Sequence, residues 1–206
     1  MKKCKAIIFD LGAVILNINY QSTIDEFTNL GIKKTATFYS KKVQTDLFNQ
    51  FETGKISRKK FLNEIRKETQ NANIKEVENA WNAMLIDLPE ERLQLIEKLK
   101  TNYNIYLLSN TNTIHINAFK KQLGNKKWGA FCKLFNKMYL SHELGLRKPD
   151  IKIFEHVLKE QKLKADEVFF IDDSLQHITS AKKLGINCHH LLDDEDIINL
   201  FSDITL

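Results

Sequence analysis

The chain opens on a short apolar run, Ala6-Ile7-Ile8-Phe9, that stops at Asp10, with Gly12 two residues further on. An apolar run of roughly four to eight residues bounded by a turn signal fits a strand buried on both faces. The pattern then changes period. Ile24, Phe27 and Leu30 recur at helical spacing before Gly31, and Val43, Leu47, Phe48 and Phe51 do the same before Gly54. Ser57 reads as the N-cap of a helix over 58–69 with Phe61, Leu62 and Ile65 on one face. A further helix over about 74–85 carries Val77, Trp81 and Met84. At this spacing Phe48, Phe51 and Trp81 are expected to form a core for these helices.

From Pro89 onward, helical and strand patterns alternate. A helix opening at Pro89 buries Leu93, Ile96 and Leu99, and a strand over 105–109 runs into the polar loop Asn110-Thr111-Asn112. Helix and loop over 113–136 are expected to break at Gly124 and Gly129, ahead of a strand over 137–140. Lys148-Pro149-Asp150 leads into a helix over 151–161 capped by Asp150. A strand over 168–171 ends in Asp172-Asp173-Ser174, a helix follows to 184, and Gly185 closes it. A last strand over 188–192 precedes an acidic tail. Alternation of this kind predicts an α/β fold, with a parallel sheet of about five strands and helices on both faces. The helical stretch after strand 1 then reads as an inserted cap over 17–88, with a catalytic core made of 1–16 and 89–206.

Composition narrows the class. Hydrophobic residues at 43% and charged residues at 28% are ordinary for a water-soluble globular chain. The net charge of +5 is spread over scattered pairs such as Lys59-Lys60, Lys120-Lys121 and Lys182-Lys183. That reads as solvated helix faces, not a nucleic-acid stripe, while suiting an anionic substrate. Cys4, Cys132 and Cys188 are odd in number and widely spaced, which argues against a disulfide framework or a zinc site. Met1-Lys2-Lys3 resembles the start of a signal peptide, yet the apolar run ends too soon, at Asp10. No segment approaches the ~20 apolar residues of a membrane span. A cytoplasmic monomer or homodimer acting on a small molecule is expected.

The chemistry sits at the strand ends. A parallel sheet brings them to one edge: Asp10, then Ser109 and Asn110, then Lys148 from the loop after the third strand, then Asp172 and Asp173. Carboxylates crowded there repel unless one is protonated or a cation joins them. Asp10 and Asp173 offer the hard oxygens that Mg²⁺ takes, and Lys148 adds positive charge. A carboxylate nucleophile needs an electrophile whose own charge is neutralised, and a phosphoryl group held by metal and lysine fits. Ser109 Oγ and loop N–H groups can donate to the same oxygens. The residues therefore read as attack by Asp10 on phosphorus, giving an aspartyl-phosphate that water hydrolyses.

In this order the motifs resemble those of the haloacid dehalogenase superfamily of phosphatases: Asp10 to Val14, Leu108-Ser109-Asn110, Lys148-Pro149, and Asp172-Asp173 followed by Ala181 and Leu184-Gly185-Ile186. Phe9-Asp10-Leu11-Gly12, Leu108-Ser109-Asn110-Thr111-Asn112, Tyr139-Leu140-Ser141 and Gly145-Leu146-Arg147-Lys148-Pro149 resemble more closely the bacterial branch that includes an α-glucose-1-phosphate phosphatase. The resemblance implies a Rossmann-like core and a sugar-phosphate substrate. It implies Asp10 as nucleophile and Mg²⁺ ligand, the Gly12 carbonyl and Asp173 as further ligands, and Asp172 orienting metal-bound water or Lys148. Ser109, the Asn110 backbone and Lys148 would hold the phosphate. Most phosphatases of this superfamily carry a second aspartate as general acid–base where this chain has Gly12. Such help is worth roughly 10²–10⁴-fold, so esters with basic leaving groups should suffer and sugar 1-phosphates should suffer less. Gln176-His177 stands where the related branch often has Asp-Asn.

Two other readings remain open. A dehalogenase could use Asp10 without metal, although Asp172-Asp173 beside it makes chief sense with a cation. A weak catalyst could bind a phosphorylated ligand or protein partner, as Gly12 suggests. His115 and His177 could line the pocket, but surface or loop positions are the preferred expectation. His189 and His190 alternate on a strand, so they share no metal site.

Overall fold

Ala6, Ile7, Ile8 and Phe9 are essentially fully buried, as a strand with helices on both sides requires. The computed structural model describes residues 4–33, 35 and 46–202. Its elements run β1 (Ala6–Phe9), α1 (Tyr20–Asn29), α2 (Asp46–Glu52), α3 (Arg58–Lys67), α4 (Ile74–Asn82), α5 (Glu90–Leu99), β2 (Asn104–Ser109), α6 (Thr113–Lys133), β3 (Lys137–Leu140), α7 (Ser141–Leu144), α8 (Ile151–Gln161), β4 (Val168–Asp172), α9 (Leu175–Lys182), β5 (Asn187–His190) and α10 (Ile197–Ser202). The sheet order is β3-β2-β1-β4-β5, and every pair is parallel. β1 is central, and Phe9 pairs with Leu107 on one side and Ile171 on the other. Asp10 and Asp172 come directly after that register and Ser109 two residues after Leu107, so all three emerge at the same edge.

The period of two along β1 divides the core. Ile7 and Phe9 pack with Ile96 and Leu99 of α5, Phe119 and Phe131 of α6, and Ile197 and Phe201 of α10. Ala6 and Ile8 face Ile153, Phe154 and Val157 of α8 and Ile178 and Ala181 of α9. Helices α1–α4 pack around their own apolar cluster centred on Trp81, with Phe48 at 5.2 Å, Phe61 at 5.3 Å and Phe27 at 6.2 Å between ring centroids. The chain enters and leaves this insert on a narrow ribbon: Ile18 and Leu85 form an antiparallel bridge, and Asn17 N–H donates to Asp87 O at 2.9 Å.

Several sequence expectations shift by local physics. Val43 of the second expected helix lies outside the described residues. Pro89 is the N-cap of α5, not its first helical residue. Gly129 does not break α6; the kink is at Gly124, where φ is 73°. The acidic tail carries α10, whose Ile197 and Phe201 are four residues apart and bury against the core. Its entry is held by the Arg92–Asp196 ion pair at 2.8 Å.

Gly54 fixes how the insert meets the sheet domain. Its φ is +67°, and a Cβ there would lie 2.3 Å from the carbonyl oxygen of His142 in α7. Only glycine permits that backbone conformation and approach together. Gly54→Ala should cost roughly 2 kcal/mol or more, from left-handed strain plus the clash. Gly129→Ala, where no heavy atom lies within 4 Å of the added Cβ, should gain about 0.5–1 kcal/mol by helix propensity. Thermal denaturation of the two variants checks the opposite signs, and a Gly54→Ala protein as stable as the parent would refute the close contact.

Candidate active site

Asp10 is the first residue past β1, and its backbone N–H donates to Ile171 O at 2.9 Å, so the sheet itself sets its position. Lys148 is fully buried behind it. Its Nζ donates to Asp10 Oδ1 at 2.9 Å, to Asp172 Oδ2 at 2.6 Å and to Leu108 O at 2.7 Å. An ammonium has three protons, and each has an acceptor here. The loop that carries Lys148 is pinned by Asn110: its Nδ2 donates to Lys148 O at 2.8 Å and its Oδ1 accepts from Lys148 N–H at 2.9 Å. Ser141 Oγ ties the same region by accepting from Thr111 N–H at 2.9 Å and donating to Thr111 O at 3.0 Å. The Asn110 side chain is thus structural.

Asp172 is also fully buried and heavily engaged. Besides Lys148, it accepts from Ser174 N–H at 2.8 Å and lies 2.9 Å from His177 Nδ1. Asp173, next along, reaches the open side of the cluster. One oxygen from each of Asp10, Asp172 and Asp173 lies within 4.8 Å of the others. Burial pushes the Asp10 carboxyl up to about 7; Lys148 opposes this, while Asp172 and Asp173 add to it. Burial would also raise Asp172, but Lys148 and His177 outweigh it and hold that carboxyl down at about 2. For Lys148, burial disfavours the charge, but Asp10 and Asp172 overcome it and keep its pKa above the ordinary lysine value. Three carboxylates against one buried ammonium leave excess negative charge on hard oxygens, a donor set that fits a divalent cation of the Mg²⁺ type.

These groups face a cavity of about 260 Å³. Asp10, Gly12, Ser109, Asn110 and Asp173 line it from the sheet edge. Lys148 and Asp172 stand behind that first layer. A Cβ on Gly12 would come within 2.8 Å of Ile18 Cδ1, so Ile18 occupies the space a side chain at position 12 would need.

Two expectations are corrected by the geometry. His115 and His177 both line the cavity and are not surface or loop residues. His177, in the first turn of α9, is drawn in by Asp172 five residues upstream. Burial lowers its pKa, against the pull of Asp172. His115 stacks on Trp81 with ring centroids 4.5 Å apart, and burial pushes it down to about 4, so it is neutral near pH 7. His189 and His190 have separate partners, Glu195 and the Asp173 carbonyl, as strand alternation requires.

Four further polar residues, with no role assigned from the sequence, line the cavity: Tyr20, Asn49, Glu52 and Arg147. Glu52 and Arg147 form an ion pair at 2.9 Å, and Arg147 Nη1 donates to Asn49 Oδ1 at 2.5 Å. Burial, with Asp173, Asp10 and Glu52 nearby, holds the Tyr20 hydroxyl well above the usual tyrosine pKa. Arg147 was visible in the Lys148 motif, whereas nothing local marks Tyr20, Asn49 or Glu52.

Among the described residues no helix is long and apolar enough to cross a membrane. The family model for haloacid dehalogenase-like hydrolases matches residues 4–185. A D-ribitol-5-phosphate phosphatase of Bacteroides thetaiotaomicron is 31% identical over 185 residues, covering 88% of each chain. A sesquiterpene phosphatase of Aspergillus oryzae is 26% identical, covering 92% of this chain and 90% of its own. A crystal structure of a haloacid dehalogenase-family enzyme from Bacteroides thetaiotaomicron superposes with a TM-score of 0.88 at 32% identity. It covers 96% of this chain and 98% of its own, and is an aspartate-to-alanine variant in complex with magnesium and inorganic phosphate. Motif order, sheet topology, the buried Lys148 cluster and these matches agree that the chain belongs to the haloacid dehalogenase-like hydrolases.

Proposed function

We propose that the protein is a Mg²⁺-dependent phosphatase that hydrolyses a small phosphorylated metabolite, a sugar or sugar-alcohol phosphate, through an aspartyl-phosphate on Asp10. The observation that carries this reading is the Lys148 ammonium bound at once to Asp10 and Asp172, with Asp173 alongside. It aims one carboxylate at the cavity and leaves a site of net negative charge that a cation completes. The phosphatase relatives and the magnesium–phosphate complex of the family neighbour support it. Residues 17–88 act as the cap over a core of 1–16 and 89–206, and the enzyme works in the cytoplasm.

Asp10, Asp173 and the Gly12 carbonyl would hold Mg²⁺, with Asp172 behind them. When bound, the cation neutralises phosphate oxygens so that a carboxylate can approach phosphorus. Ser109 Oγ and the Asn110 N–H donate to the same oxygens. Asp10 then forms a bond to phosphorus as the bond to the ester oxygen breaks, and the alcohol leaves with a proton from solvent. Water attacks the aspartyl-phosphate, releasing inorganic phosphate and restoring the Asp10 carboxylate. Lys148 opposes protonation of the free Asp10 carboxyl and orients it toward the cavity, and the cap excludes bulk water.

The decisive test is phosphate release from a panel of sugar 1-phosphates, sugar 6-phosphates, sugar-alcohol phosphates and nucleotides with Mg²⁺. Asp10→Asn should lower turnover by roughly 10³-fold or more, since the nucleophile is lost. Turnover that is unaffected by Asp10→Asn or by removing Mg²⁺ would sink the assignment. Lys148→Met should destabilise the fold by roughly 3–5 kcal/mol, because Asp10 and Asp172 lose their shared counter-charge. Urea unfolding reads that loss directly. With Asp10 raised to about 7, protons and Mg²⁺ compete for it. Affinity for Mg²⁺ should weaken as pH falls below 7, by up to about tenfold per unit, and level off above it. Calorimetric titration in buffers of different ionisation heat should show proton release near pH 6, and pH-independent affinity would contradict the raised Asp10 pKa.

A further inference from the structure

Glu52 closes α2 in the helical insert, and Arg147 immediately precedes Lys148 on the sheet domain. Their ion pair at 2.9 Å therefore joins the insert to the catalytic loop. Both side chains are largely enclosed, at 7% exposure for Glu52 and 22% for Arg147. The contact of Gly54 with His142 sets the α2 terminus at this height, and Asn49, one turn earlier in α2, accepts from Arg147 at 2.5 Å. Asn49, Glu52, Arg147 and Tyr20 line the same cavity as Asp10, Ser109 and Asp173.

An enclosed ion pair returns little stability against the cost of desolvating both charges. A cavity wall built from one therefore calls for a ligand-side explanation. Glu52 and Arg147 neutralise each other, so the wall presents carboxylate acceptors and guanidinium donors with no net charge. Hydroxyl groups, which donate and accept, satisfy such a surface. A second anion would meet Glu52 with no uncompensated cation to offset it. The phosphate end of the cavity is already occupied by the Asp10 constellation, which leaves this wall for the alcohol portion. A volume of about 260 Å³ suits a ligand below drug size.

We propose that Glu52 and Arg147, with Asn49 and Tyr20, form the leaving-group subsite, and that it selects phosphate esters of small neutral polyols over esters whose leaving group carries a second negative charge. This rests on the phosphatase reading above and adds to it the identity of the residues that choose the substrate.

The test uses a matched pair, glycerol 3-phosphate and 3-phosphoglycerate, with p-nitrophenyl phosphate as a hydroxyl-free reference and Asp10→Asn as the blank. kcat/KM is measured for the parent protein, Glu52→Gln and Asn49→Asp, each checked for folding by thermal melting. The parent should favour glycerol 3-phosphate by roughly tenfold or more. Glu52→Gln leaves the Arg147 charge uncompensated and should move the ratio toward 3-phosphoglycerate by roughly 10- to 100-fold. Asn49→Asp adds an anion beside Arg147 and should move it the other way, which decides the matter if Glu52→Gln fails to fold. A merely structural pair would lower both esters together. A parent ratio near one, or ratios that stay within about twofold in the folded variants, overturns the subsite. If p-nitrophenyl phosphate is still hydrolysed in an Asp10-dependent way, the phosphatase reading stands without it. No Asp10-dependent hydrolysis of any ester overturns both.

Discussion

The structure depends on one buried ammonium. Lys148 Nζ sits between Asp10 and Asp172 with no solvent exposure, and the Leu108 carbonyl takes its third proton. Two carboxylates this deep would repel each other and resist ionisation without it. The surrounding backbone is arranged to deliver that one atom. β1 and β4 end level, which puts Asp10 and Asp172 side by side. Asn110 clamps both the N–H and the carbonyl of Lys148, and Ser141 locks the neighbouring loop to Thr111. The two carboxylates are thereby made unequal. Asp172 is satisfied on every side and held ionised, while Asp10 keeps a raised pKa and an open face toward the cavity. That asymmetry matches the proposed roles, Asp172 as the group that orients and Asp10 as the group that reacts.

The cavity is divided along the same boundary as the fold. Its charged end belongs to the sheet, and much of its opposite wall belongs to the insert. Two contacts hold the halves in register. Gly54 lets α2 meet the His142 carbonyl at backbone distance, and His115 stacks on Trp81 while its Nε2 lies 3.0 Å from the Trp81 carbonyl. Burial keeps His115 neutral near pH 7, so this second contact places no charge in the interface. The Glu52–Arg147 pair joins the same two halves beside the loop that carries Lys148.

How much was legible in the sequence follows from the range of the interaction involved. β1 was readable because four consecutive apolar residues ended at Asp10, a local pattern. The convergence of Asp10, Ser109, Lys148 and Asp173 was readable because a parallel sheet aligns its strand ends whatever the intervening chain does. The sequence points only to the Asn110 backbone; that its side chain clamps Lys148 depends on a contact between two loops. His177 was misplaced because its pull toward Asp172 depends on how α9 begins. Glu52 and Arg147 meet across two domains' worth of chain, and no periodicity encodes that. α10 was hidden because Asp193, Asp194, Glu195 and Asp196 mask two apolar residues at helical spacing.

Gly12 connects these scales. In the sequence it marks a missing carboxylate two residues after the nucleophile. In the structure the missing side chain has a physical counterpart, since Ile18 Cδ1 fills the space beside it. Ile18 also forms the bridge with Leu85 at the base of the insert, so one residue serves both the ribbon and the apolar surface beside position 12. Position 12 therefore offers backbone to the site and no proton donor. In the proposed reaction, catalysis would then lean on electrostatic stabilisation at phosphorus and on holding the alcohol in place. Both would come from groups whose positions the fold over-determines: the Asp10 cluster that Lys148 holds together at one end of the cavity, and the Glu52–Arg147 wall at the other.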